Sequence, residues 1–141
     1  MSEQSRHQGR KAEEVRIPTS ILHLEGPADT LTFPPSGKFR TVSVAMLNHC
    51  APGVADRMDA APFFIRDDAS GCGRHWDVMA NGGKVCILCN GVALSGAECV
   101  TLRFGDCISL ADASSDQEPF LNLRVRFEVT IKHIHKTPSE S

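Results

Sequence analysis

The chain has 141 residues, 15 of them basic and 17 acidic, and its formal charge of −2 leaves no global field to draw it onto nucleic acid or an anionic membrane. That length suits one domain that buries its own core without disulfides or metal. No stretch reaches the roughly 18 consecutive apolar residues of a membrane span, and the polar opening MSEQSRHQGRKAEEVR has no hydrophobic signal region.

Six cysteines without a secretory signal point to a reducing compartment, so the expectation is a cytoplasmic or nuclear protein with free thiols. Residues 1–15 hold almost no apolar side chain, and KTPSES at 136–141 holds none. Both are expected to be flexible tails around a single unit over 16–135.

Within that unit strands dominate, because Gly and Pro total 19 residues and no long stretch repeats apolar residues at helical spacing. ILHLEG alternates Leu22 and Leu24 against Ile21, His23 and Glu25, and stops at Gly26-Pro27. TLTF runs into Pro34-Pro35 and the turn SGK. FRTVSVAML then predicts one longer strand, rich in β-branched residues.

NHCAPGVADRMDA reads as a loop. APFFIRDD reads as a strand with Phe63 and Ile65 on one face and Phe64 on the other, both phenylalanines expected to be buried. After the turn ASGCG, RHWDVMA carries the only Trp, NGG predicts a hairpin turn, and KVCILC is its return strand. VAL, ECVTL and DCISLA follow as short strands.

The last run, FLNLRVRFEVTIKHIH, puts Leu121, Leu123, Val125, Phe127, Val129 and Ile131 on a buried face and the polar residues on a wet one. About ten short, mostly antiparallel strands, punctuated every 8 to 12 residues or so, define an all-β, two-sheet sandwich.

Cys86-x-x-Cys89 before Asn90-Gly91 has the shape of a zinc knuckle, with Cys72, His75, His49, Cys50, Cys99 and Cys107 as scattered further ligands. In extended chain, however, residues three apart project to opposite faces, so Cys86 and Cys89 diverge. The reading preferred is that the six cysteines pack as small hydrophobes, with no metal and no cofactor.

Nucleophilic catalysis needs a thiol or hydroxyl beside a base. The spacing of His23, His49, His75, His133 and His135 supplies none, and Gly71-Cys72-Gly73 reads as a loop, so no enzyme is expected. Arg103, Arg124, Arg126, Lys132 and Lys136 form a basic stripe without the interleaved aromatics of a single-strand binder. It reads as a solvated face, with no nucleic-acid partner.

VCILCNGVALSGAECVTLRFGDCISLA resembles the second half of a forkhead-associated (FHA) domain. The match runs through Asn90-Gly91, Leu94, then Leu102, Gly105, Asp106, Ile108 and Leu110, with LRVRFEV as the closing strand. With the looser likeness of the first half, the resemblance spans about residues 20–132. It implies a β-sandwich that binds proteins or peptides through its connecting loops.

The family's phosphothreonine reader is not retained, because the Gly-Arg position falls on Ala45-Met46, the Ser-to-His segment on RMDAAPF, and only Asn81-Gly82-Gly83 precedes the next strand. A methionine cannot replace the guanidinium that a phosphate requires. The expected function is a protein-interaction module in a multiprotein assembly, a degenerate FHA-like domain without phosphothreonine dependence. The alternatives are a rearranged phosphopeptide pocket or a zinc-stabilised module.

The candidate partner-binding residues are Arg40, Asn48, His49, Arg57, Arg74 and Asn81, in or beside loops at the sheet ends, with contacts expected from loops 48–61, 66–75 and 80–84.

Overall fold

The computed structural model describes residues 13–96, 98–113 and 118–136. Among these residues ten strands form two antiparallel sheets, β1 (Glu13–Glu25), β2 (Thr30–Phe33), β3 (Phe39–Val42), β4 (Phe63–Asp67), β5 (Trp76–Ala80), β6 (Val85–Cys89), β7 (Val92–Ala93), β8 (Cys99–Thr101), β9 (Cys107–Asp112) and β10 (Leu121–Lys136). The first sheet runs β2-β1-β10-β9-β6-β7 and the second β3-β4-β5-β8. The expected all-β sandwich is the fold.

Alternation places the core between the layers. Leu22, Leu24, Ile87, Ile108, Leu110, Leu123 and Val125 face inward from the first sheet, and Val42, Phe63, Ile65, Trp76 and Val78 from the second, nearly all fully buried. On the outer face of the first sheet His23 is also buried, its Nδ1 2.9 Å from Thr32 Oγ1 and its Nε2 2.9 Å from Glu128 Oε1. One imidazole thus ties β2, β1 and β10 together.

The long run expected from Phe39 to Leu47 is instead cut at Ser43. There the backbone stays extended while Ser43 Oγ accepts the Met46 N–H at 3.2 Å, capping a helix, α1 (Val44–Cys50). Helix wins because Leu47 and Cys50, three apart, both reach the core, whereas a strand would point them to opposite faces. The segment read as loop also holds a 3-10 turn at Val54–Arg57.

NGG is not a hairpin. β5 pairs with β4 and β8, β6 with β9 and β7, so the chain crosses between sheets at residues 81–84. Asn81 N–H is held by Pro62 O and Lys84 O by Ala113 N–H, which ties each side of the turn to a different layer.

β1 begins at Glu13 and β10 ends at Lys136, paired to each other, so residues 13–15 and Lys136, assigned above to tails, lie in strand. The rest of both tails falls outside the described residues. The buried face expected of β10 holds as far as Val125. Beyond it Phe127 is only partly covered, and Val129 and Ile131 are 68% and 50% exposed. Phe64 is half-buried on the outer face of β4, while Phe63 is fully buried.

Of the six free cysteines only Cys50 and Cys89 are buried; Cys72, Cys86 and Cys107 are half-exposed and Cys99 is exposed. Packing therefore accounts for two of the six. Among the described residues no helix is long and apolar enough to cross a membrane.

Candidate functional site

The topology sorts the loops into two ends. The connections after β2, β4, β6 and β8 lie at the end from which the β1–β10 ribbon emerges, and those after β1, β3, β5 and β9 lie at the distal end.

This splits the predicted residues. Asn48, His49, Arg57 and Asn81 are distal; Arg74 is at the ribbon end, and Arg40 points inward from β3 toward that end. Loops 48–61 and 80–84 therefore share an end, and loop 66–75 does not join them.

Most of the six are already engaged within the protein. The Arg40 guanidinium carbon sits 5.4 Å from the ring centroids of both Phe33 and Trp76, and its Nη2 donates to Pro34 O. Burial lowers the Arg40 pKa, opposed by the charge of fully buried Asp67, whose Oδ1 accepts the N–H groups of Ser36 and Gly37 at 3.0 and 2.9 Å. Arg40 is thus a packing cation.

Asn48 Oδ1 accepts the N–H groups of Gly53 (3.0 Å) and Ala55 (3.3 Å), shaping the turn after α1. Asn81 Nδ2 donates to Ala61 O at 2.8 Å and clips two loops together. Arg74 is exposed, and its backbone N–H donates to Asp68 Oδ1 at 2.8 Å. The Asp68 carboxyl is held below its usual range, first by the Ser70 hydroxyl.

At the distal end, loop 26–29 packs on α1, with Ala28 N–H donating to Cys50 O at 2.8 Å. A Cβ on Gly26 would come within 3.0 Å of Cys50, so glycine permits that approach. A groove of about 380 Å³ opens beside this contact, lined by Pro27, Ala51, Pro52, Gly53, Val54, Arg57 and Phe120. Arg57 forms one wall, its guanidinium carbon 5.1 Å from the Phe120 centroid.

The distal loops carry three basic side chains, and each has a carboxylate. His49 Nε2 lies 2.6 Å from Asp29 Oδ2, Arg57 Nη1 3.2 Å from Asp112 Oδ2, and Lys84 Nζ 3.4 Å from Asp59 Oδ2. The Asp29 carboxyl is held low chiefly by the Thr30 backbone N–H, with His49 adding to the effect. Among the described residues, Asp56 and Glu118 bring the local carboxylates to five against three bases. The end is acidic, with a small apolar groove.

Sequence reasoning missed this groove, since its walls come from three separate segments. Its only local traces were Gly26-Pro27, Pro52-Gly53 and the aromatic after Pro119.

Cys86 and Cys89 do diverge, Cys89 inward with Val85 and Ile87, and Cys86 on the outer face. Among the described residues no three His, Cys, Asp or Glu side chains are grouped to hold a metal ion. Burial raises the thiol pKa of both Cys50 and Cys89, which disfavours the thiolate that nucleophilic or ligand chemistry requires.

The two turns quoted for the family resemblance form one hydrogen-bonded unit at the ribbon end. Asn90 (φ 51°) and Gly91 (φ 83°) make the tight reversal between β6 and β7. Asn90 Nδ2 donates to Asp106 Oδ1 and its Oδ1 accepts the Cys107 N–H, each at 2.9 Å. Asp106 Oδ2 takes the Arg103 N–H at 2.7 Å. These residues hold the framework and lie away from the groove.

No protein-family model matches the chain, and comparison with curated proteins and with solved structures likewise returned no match.

Proposed function

We propose that the chain is a divergent FHA-like sandwich that binds an unphosphorylated protein segment at its distal end, within a cytoplasmic or nuclear assembly. The observation that carries this reading is the charge arrangement there. All three basic side chains of the distal loops face carboxylates, and Met46 of α1 is exposed where the family resemblance puts an arginine.

A phosphate carries close to two negative charges and needs unoccupied donors fixed around it. Here it would have to displace Asp29, Asp112 or Asp59 in surroundings that already hold five carboxylates. The same surroundings favour an apolar residue in the groove of Pro27, Val54 and Phe120, flanked by Lys or Arg on the ligand. The FHA-like assignment itself draws on the strand order around the Asn90-Gly91 and Gly105-Asp106 turns and on the bond between Asn90 and Asp106.

A peptide library titrated by fluorescence anisotropy tests the proposal. The expected ligands are unphosphorylated, apolar and basic; phosphothreonine weakens them, and the charge reversals Asp56→Lys and Glu118→Lys reduce affinity by about threefold to tenfold. Tighter binding of a phosphothreonine peptide than of its unphosphorylated form overturns it in favour of a rearranged phosphate pocket.

A further inference from the structure

At the opposite end of the molecule, the β1–β10 ribbon leaves one strand edge open. β9 pairs with β10 only as far as Arg124, and the next residue is closed by loop 102–106, where Gly105 N–H donates to Val125 O and Val125 N–H to Asp106 O. The backbone groups of Val125 therefore point away from β1. By alternation so do those of Phe127, Val129 and Ile131, which have no backbone partner among the described residues.

The neighbouring edge of β1 is guarded. Pro18, opposite Ile131, has no N–H to offer, and Ser20 N–H, opposite Val129, donates to Cys72 O at 3.0 Å. The β10 edge has no such guard, and its side chains Val129 and Ile131 stand 68% and 50% exposed. Unpaired ladder groups beside exposed β-branched residues are a template for a further strand.

The sequence of that edge is complementary to itself. When two copies of β10 run antiparallel about Thr130, Val129 faces Ile131 of the other copy, Glu128 faces Lys132, and Lys132 faces Glu128. The parity is correct too, since Val129 and Ile131, which carry the outward backbone groups, fall in the hydrogen-bonded pairs. The apolar pairs lie on one face and both ion pairs on the other. Glu128 Oε1 is engaged by His23 Nε2, leaving Oε2 for the facing lysine.

We infer that a second copy of this chain adds its β10 to this edge, making an isologous dimer with a four-stranded ribbon β1-β10-β10-β1 across a two-fold axis. Because loop 102–106 holds Val125, the ladder begins beyond that residue and is centred on the two pairs of Val129 with Ile131. A two-stranded ribbon is marginal alone in water, and doubling it to four strands relieves that weakness.

Sedimentation equilibrium of the full chain tests the inference, with expected dimerisation at micromolar to sub-millimolar concentration. The variant I131P removes an outward N–H without touching the β1 ladder and is expected to be monomeric. K132E and E128K each place like charges opposite in their own dimers and weaken association by about tenfold, whereas an equimolar mixture of the two restores it.

K132E alters only an exposed side chain and so keeps the test decisive if I131P folds poorly. A wild-type chain monomeric up to about 0.5 mM overturns the inference. So does a dimer unaffected by I131P, or a mixture no tighter than its components.

Discussion

Gly73 is a residue whose identity the fold dictates. Its φ is +67°, and a Cβ built there would lie 2.5 Å from Ser20 O and 2.9 Å from Ser20 Oγ. That serine is the joint between the sheets: its Oγ accepts the Trp76 indole N–H at 3.0 Å and donates to Gly73 O, while its N–H donates to Cys72 O. Gly83 shares a positive φ of +89° but has nothing within 4 Å of its would-be Cβ. Gly73→Ala is therefore expected to cost about 2–4 kcal/mol and Gly83→Ala only about 1 kcal/mol, the backbone term without the clash. Urea denaturation of the two variants separates the contributions, and equal losses would show that the contact between loop 71–75 and β1 is looser than described.

Among the elements, α1 depends on a single local bond and on burial at its far side. A helix of seven residues is too short to persist by propensity, so the Ser43 cap and the packing of Leu47 and Cys50 hold it. Ser43→Ala is expected to lower stability by about 1 kcal/mol, and Ser43→Asp, which retains an accepting oxygen, to restore most of that, both measured as shifts in the denaturation midpoint. The same element shows where sequence reading stops. Val42-Ser43-Val44 looks like strand because β-branched residues are counted, while the one hydroxyl that turns the chain carries little weight in such a count. Alternation made the inward set of β4 legible, and with it the divergence of Cys86 from Cys89 on β6. It could not tell whether a second layer covers a face, which is why Val129 and Ile131 were expected to be buried. Nor could NGG reveal that its flanking strands belong to different sheets. Asn48 and Asn81 were legible as polar loop side chains, yet local backbone already engages both, the Asn48 Oδ1 accepting from Gly53 and Ala55 and the Asn81 Nδ2 donating to Ala61 O, and the groove walls are brought together only by the tertiary fold.

At the scale of the molecule, the first sheet is built around strands from opposite ends of the chain, with Leu22 of β1 beside Phe127 of β10. Neither strand can be buried until nearly the whole chain has been gathered, so the sheets have no stepwise route to partial stability. Trp76, the only tryptophan, is fully buried in the second sheet but bonded to Ser20 of the first, and reports on both layers. Leu123→Ala, in the centre of the first sheet at zero exposure, is expected to cost about 2–5 kcal/mol. Its effect should move the Trp76 fluorescence transition and the far-ultraviolet circular dichroism transition by the same amount, as a single cooperative unit requires. If the Trp76 signal kept its midpoint while the dichroism transition moved, the second sheet would be folding by itself, and the inward residues of the two layers would not constitute one core.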